Sequence, residues 1–146
     1  MNTINHIDPG LAGEMMRAAT LCGKSSEEEG GIIIARENEC EFVKVKNVHT
    51  GTMTAGGLYE ASRDELSLKV ISRVKDGWKF FASFHTHPTF SPSPSQLDFN
   101  KLFQSFKHNI IYSPYQGMFS WLSWIDGGPK FALYYVPQST VRSLAN

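Results

Sequence analysis

Residues 83–99 read SFHTHPTFSPSPSQLDF. Their first residues continue an aromatic segment, WKFFASF at 78–84, which is too short for a helix and reads as a core strand. That strand delivers His85 and His87. On an extended backbone, side chains two apart project to the same side, so both imidazoles address one point in space. Pro88 ends the strand, and the residues to Pro94 form a proline-stiffened loop. Asp98 then falls in the first turn of a following helix, from where its carboxylate can return to the same point. Two imidazoles and one carboxylate are the three-ligand set of a catalytic zinc, with a fourth position left for water. Ser95 and Asp98 also suit a helix start by themselves, as an N-cap serine and an acid favoured by the helix dipole.

Working outward, DPGLAGEMMRAATLCG (8–23) predicts a helix. Asp8 is its N-cap, Pro9 lies in the first turn, Leu11, Met15, Ala18 and Cys22 share one face, and Gly23 is the stop. After the acidic run SSEEEGG, the segment GIIIAR (31–36) reads as a buried strand. In EFVKVKNV (41–48), Val43 and Val45 alternate with Lys44 and Lys46, the period of a strand with one wet face, and the two strands should pair as a hairpin. HTGTMTAGG (49–57) reads as a loop. Ser62 and Glu65 have capping-box spacing and open a second helix through Leu66, Val70 and Val74 to Gly77. Phe99, Leu102, Phe103 and Phe106 recur at helical spacing, and NIIYS, MFSWLSWI and FALYYV read as three closing strands.

A length of 146 residues suits a single domain, 1–146, with a core that needs no disulfide or metal to stand. Fourteen basic residues balance fourteen acidic ones, so no global field draws the chain to nucleic acid or to an anionic membrane. Cys22 and Cys40 are isolated, with no CxxC pairing, which fits a reducing compartment. No apolar run approaches the roughly 18 residues of a membrane span, and no signal-peptide pattern opens the chain. The expectation is a cytoplasmic protein with no nucleic-acid or membrane partner. His6, His49 and His108 lack ligand-like spacing, so no second metal is expected.

Taken together, His85-Thr86-His87, seven residues beginning with Pro88, then Ser95-Gln96-Leu97-Asp98 resemble the motif of the JAMM metalloprotease family, also called the JAB or MPN+ domain. That motif also has a distant upstream Glu, three residues before a small residue that begins a hydrophobic strand. EEGGIII places Glu28 three before Gly31. The resemblance implies an α/β fold: a single-domain, mixed and curved β-sheet flanked by helices, the JAB/MPN architecture related to that of the cytidine deaminases. It implies Zn2+ held by His85, His87 and Asp98, Glu28 as the base that takes a proton from water, and Ser95 as the donor that steadies the oxyanion. Glu27 and Glu29 flank Glu28, and a register slip of one residue would exchange them, because neighbours on a strand face opposite sides. Thr86 should face away from the ligands.

The family's substrates imply a zinc-dependent peptidase or isopeptidase that hydrolyses the amide bond after the C-terminal glycine of a ubiquitin-like protein. Such a protein or its conjugates would then be the partner. The short chain and the Ser-Pro-rich site loop resemble the stand-alone prokaryotic JAB proteins. Two other readings share the fold: a non-catalytic MPN-type scaffold subunit, which usually loses motif residues, and a RadC-like JAB protein, which has different flanks around its His-x-His-Pro. The zinc deaminases require H-x-E and PCxxC, and the sequence has neither.

Overall fold

The computed structural model describes residues 7–48, 59–96, 98–99, 105–125 and 130–146. Helix α1 (Pro9–Cys22) starts where its chemistry dictates. The Asp8 carboxylate accepts from the Leu11 N–H at 2.8 Å, and Pro9 takes a first-turn position whose N–H would have no helical partner anyway. Leu11, Met15, Ala18 and Cys22 are all buried on the face it turns to the sheet.

Six strands come after it: β1 (Gly30–Arg36), β2 (Glu39–Val45), β3 (Lys79–Thr86), β4 (His108–Ser113), β5 (Met118–Trp124) and β6 (Phe131–Pro137). They form one mixed sheet in the order β2-β1-β3-β4-β5-β6. All neighbours are antiparallel except β3 and β4, which run parallel and are joined by the crossover that contains the site loop. The β1–β2 hairpin turns at Glu37, which has φ 53°.

Period-two alternation divides the side chains between two faces. On one face Ile33, Phe42, Ala82, Phe84, Ile110, Phe119 and Trp121 pack beneath α1 and a C-terminal helix, α3 (Gln138–Ala145), which contributes Val141. On the other, Ile32, Ile34 and Val45 pack with Val70 and Trp78, and Ile111 and Leu122 pack with Phe99 and Leu133. The sheet is thus covered on both sides, a mixed α/β architecture.

Two departures from the sequence reading have local causes. Ser62 caps the second helix as expected, accepting from the Glu65 N–H at 3.2 Å, but Glu65 does not return the bond. Its carboxylate accepts from the Lys46 N–H at 2.7 Å and pairs with Lys69 at 3.1 Å. The helix is not uniform either: α2 (Arg63–Glu65) runs into a π-helical turn at Leu66–Val70 and a 3₁₀ segment at Ile71–Asp76. The π turn inserts an extra residue and rotates the next turn about the axis, so Val70 is fully buried while Val74, expected on the same face, is 50% exposed. Gly77 closes the segment at φ 91°, a left-handed position that favours glycine. Helix α3 was not anticipated, because QSTVRSLA has a single buried residue and so no readable stripe. The loop expected at 49–57, the residues Leu102 and Phe103 of the expected third helix, and His6 and His49 lie outside the described residues. Among the described residues no helix is long and apolar enough to cross a membrane.

Candidate metal centre

The site lies at the carboxyl end of β3, where three separate stretches meet. Strand β3 runs through Thr86, so His85 and, just past its end, His87 leave the same face at the end of this interior strand and are both buried. Opposite them, β1 begins at Gly30, which pairs with His85. A Cβ on Gly30 would overlap the Phe84 carbonyl and press on His85, and one on Gly31 would overlap the Val43 carbonyl. The glycine pair is therefore a steric requirement of bringing β1 close to both neighbours at this point.

That contact also sets which glutamate faces the histidines. Thr86 donates its N–H to the Glu29 carbonyl at 2.8 Å, and its hydroxyl accepts from the Glu29 N–H at 3.0 Å. With Glu29 pinned, the alternation sends its carboxylate to the α1 side, where it pairs with Lys44 at 2.7 Å. Glu27 is exposed. Glu28 alone of the three turns inward: it is 3% exposed, and its Oε1 lies 4.0 Å from His85 Nε2 with no hydrogen-bond partner among the described residues. Thr86 does face away from the imidazoles, and its hydroxyl is what fixes the glutamate register, a role its sequence position alone did not reveal.

Asp98 arrives from the loop side. Its Oδ1 is 3.1 Å from His85 Nε2 and its Oδ2 is 3.2 Å from His87 Nε2. Ser95 holds it in a reciprocal pair: the Ser95 N–H donates to Asp98 Oδ2 at 2.8 Å, and the Ser95 hydroxyl oxygen accepts from the Asp98 N–H at 3.1 Å. The helix-start reading of these two residues is realised by this geometry, which also holds the Asp98 carboxylate beside both imidazoles. The loop is tied down by the Ser120 and Ser113 hydroxyls, which donate to the carbonyls of Pro92 and Phe90. Phe90 stacks on the His87 ring with centroids 4.3 Å apart, and Tyr59 lies parallel to the His85 ring at 6.0 Å.

The protonation pattern fits a cation. His87 Nδ1 lies 2.9 Å from the Ser91 carbonyl, which can only accept, so Nδ1 carries the proton. In the neutral ring, Nε2 then presents its lone pair to the Asp98 carboxylate, an arrangement that a positive ion between them satisfies. The separations agree: bonds of about 2.0–2.1 Å in a tetrahedral site put neighbouring donor atoms about 3.3 Å apart. Glu28, His85 and His87 each offer a donor atom within 4.8 Å of the others, and this buried group can hold a metal ion.

The two carboxylates are driven apart in acidity. Burial pushes Glu28 up to about 9, reinforced by the Asp98 charge and only partly offset by a hydrogen bond from the Tyr59 backbone N–H. Burial acts on Asp98 in the same sense, but in the metal-free site the charge that a protonated His85 places beside it, the contacts of its two oxygens with the His85 and His87 rings, and the hydrogen bond from the Ser95 N–H hold it well below the usual carboxylate range. One carboxylate is a firm anion, and the other keeps its proton at neutral pH while no cation is bound. Among the other histidines within the described residues, His108 is remote from the site; its Nδ1 accepts from Trp121 Nε1 at 3.4 Å and lies 3.1 Å from the Ser123 hydroxyl.

No curated protein sequence matches the chain. Among solved structures, protein DSY2949 from Desulfitobacterium hafniense shares the fold at TM-score 0.60 and 16% identity, over 85% of this chain and 86% of that one. AF2198 from Archaeoglobus fulgidus, described as a JAB1/MPN domain protein, aligns at TM-score 0.41 and 20% identity over 87% of this chain and 85% of that one. The family model for prokaryotic homologs of the JAB domain matches residues 10–125, a span that includes β1, β3, the site loop and β4–β5. The chain belongs to this family of prokaryotic JAB-domain proteins.

Proposed function

We propose that the protein is a zinc-dependent peptidase or isopeptidase that hydrolyses the amide bond after the C-terminal glycine of a ubiquitin-like protein. The observation that carries this reading is the pairing of Glu28, buried with one carboxylate oxygen unengaged, with two imidazoles that share the Asp98 carboxylate. A zinc ion held by His85, His87 and Asp98 would supply Lewis acidity and bring the pKa of a water to about 7. Burial keeps Glu28 protonated while the site is metal-free; the charge of a bound ion would favour its ionised form, which is then placed to accept that water's proton and to pass it to the leaving amine. Because the Ser95 oxygen already accepts from the Asp98 N–H, its own proton remains to be donated to the carbonyl oxygen of the scissile bond as charge develops there. Buried walls exclude bulk water and strengthen each of these interactions.

The glycine preference arises from the same confinement. The reactive groups are almost fully buried at a sheet end, so a tail without Cβ atoms reaches them more readily than one with larger side chains. Two measurements test the reading. Metal analysis of protein purified without chelators should find about one zinc per chain, as a three-ligand catalytic site requires. Incubation of that protein with ubiquitin-like fusions, followed by mass spectrometry, should show cleavage after the terminal glycine. A native protein that takes up no metal would overturn the enzyme, and efficient cutting of glycine-free junctions would overturn the specificity.

A further inference from the structure

Residues 59–62 run alongside the end of β2 and are bolted to it. The Tyr59 hydroxyl donates to the Val45 carbonyl at 2.9 Å, the Val48 N–H to the Glu60 carbonyl at 2.8 Å, and the Ser62 N–H to the Lys46 carbonyl at 2.9 Å. Asn47 stands at the junction. Its Oδ1 accepts from the Glu60 N–H at 2.9 Å, and its Nδ2 donates to the Glu28 carbonyl at 2.8 Å. The β1–β2 register, in which Gly30 pairs with Val45, carries Glu28 opposite Asn47 just beyond the last strand pair. The Asn47 side chain therefore replaces the ladder at the point where the backbone pairing stops.

The segment it anchors touches the site twice. The Tyr59 N–H donates to the Glu28 carboxylate, and the Tyr59 ring, itself buried, lies parallel to His85. Asn47 thus fixes the main chain of Glu28 directly and its side chain through Tyr59.

We propose that Asn47 is a positioning residue: one amide side chain locks Glu28 to the 59–62 segment, so that the glutamate's free oxygen is held toward the imidazoles. This rests on the peptidase reading for its consequence in turnover, but not for its geometry. Partners one step removed from a metal site are commonly worth about 10- to 100-fold in activity or affinity, and that is the expected loss of kcat for Asn47→Ala, with KM changed by less than about twofold.

The test is a cycle of wild type, Asn47→Ala, Glu28→Gln and the double variant, each loaded with Co2+. Asn47→Asp is the fold control, since it keeps the Glu60 N–H bond and the side-chain shape but loses the donor to Glu28. Co2+ should bind to all five proteins. Its visible absorption should change in Asn47→Ala and Asn47→Asp in the direction seen for Glu28→Gln, and the double variant should match Glu28→Gln in both spectrum and kcat. Additive losses in the double variant, or a wild-type spectrum and kcat in both Asn47 variants, would overturn the proposal while leaving the metal enzyme standing. If Co2+ binds but no substrate is cut, the spectra alone decide for or against Asn47 and the peptidase reading falls by itself. A wild-type protein that binds no Co2+ overturns both.

Discussion

Glu28→Gln should stabilise the metal-free protein, and the gain should grow with pH. Burial raises the folded-state pKa of Glu28 from its ordinary 4.5 to about 9. Below the ordinary value both folded and unfolded chains hold the proton, and the group has no effect on stability. Between the two values only the folded chain holds it, so ionisation favours the unfolded state, and stability falls as pH rises until the folded carboxyl also titrates. Each pH unit in that window costs about 1.4 kcal/mol, which places the accumulated loss at about 3 kcal/mol by pH 7. Glutamine cannot ionise, and it keeps an oxygen to accept the Tyr59 N–H. For a chain of this length the difference corresponds to roughly 6–12 °C in Tm. Asp98 does not mask the trend, because its depressed pKa confines its own contribution to pH below about 4. The assay is thermal unfolding of chelator-treated wild type and variant from pH 5 to pH 8.5. Curves that stay parallel across that range would refute the claim that Glu28 is buried and protonated in the metal-free site.

Other outcomes depend on single contacts. His85→Ala, His87→Ala and Asp98→Ala should each abolish most zinc binding by metal analysis while leaving the far-UV circular dichroism intact, because the core lies on both faces of the sheet beyond the site. Ser95→Ala should lower kcat about 10²- to 10³-fold through the lost oxyanion donor, and it should also cost about 1 kcal/mol in denaturant unfolding through the lost cap to Asp98. Gly30→Ala should destabilise the chain by about 1–3 kcal/mol and reduce zinc uptake, because its new methyl must push β1 off His85. Val70→Ala should cost about 2 kcal/mol in denaturant unfolding while Val74→Ala stays within about 0.5 kcal/mol, the reverse of what an unbroken helix predicts for Val74.

Most of the strands and the cluster of site residues were legible because each depended on local pattern. The alternation of valine and lysine in β2 and the spacing of His85 and His87 survive in any environment that extends the backbone. Glu28 was legible only to within one residue. Its register is settled by the pair of hydrogen bonds between Thr86 and Glu29 and by the ion pair of Glu29 with Lys44, contacts between segments far apart in the chain. The second helix shows the complementary failure, since nothing in LSLKV announces a π turn. Asn47 and Tyr59 were invisible for a similar reason: they act through a backbone carbonyl and a backbone N–H, which no side-chain motif encodes.

The crossover between β3 and β4 has a consequence for biosynthesis. Glu28 and the two histidines can meet once β1 and β3 pair, but the His87 N–H donates to the Tyr112 carbonyl, and the Ser113 and Ser120 hydroxyls hold the loop that carries Asp98. A ribosome must therefore release the chain through β5 before the fourth donor group is fixed, and the parallel pairing that does so is a slow, non-local step. Uptake of an ion by His85, His87 and Asp98 would thereby be deferred until β5 has emerged. The arrival of an ion there would then report that β3, β4 and β5 have come together.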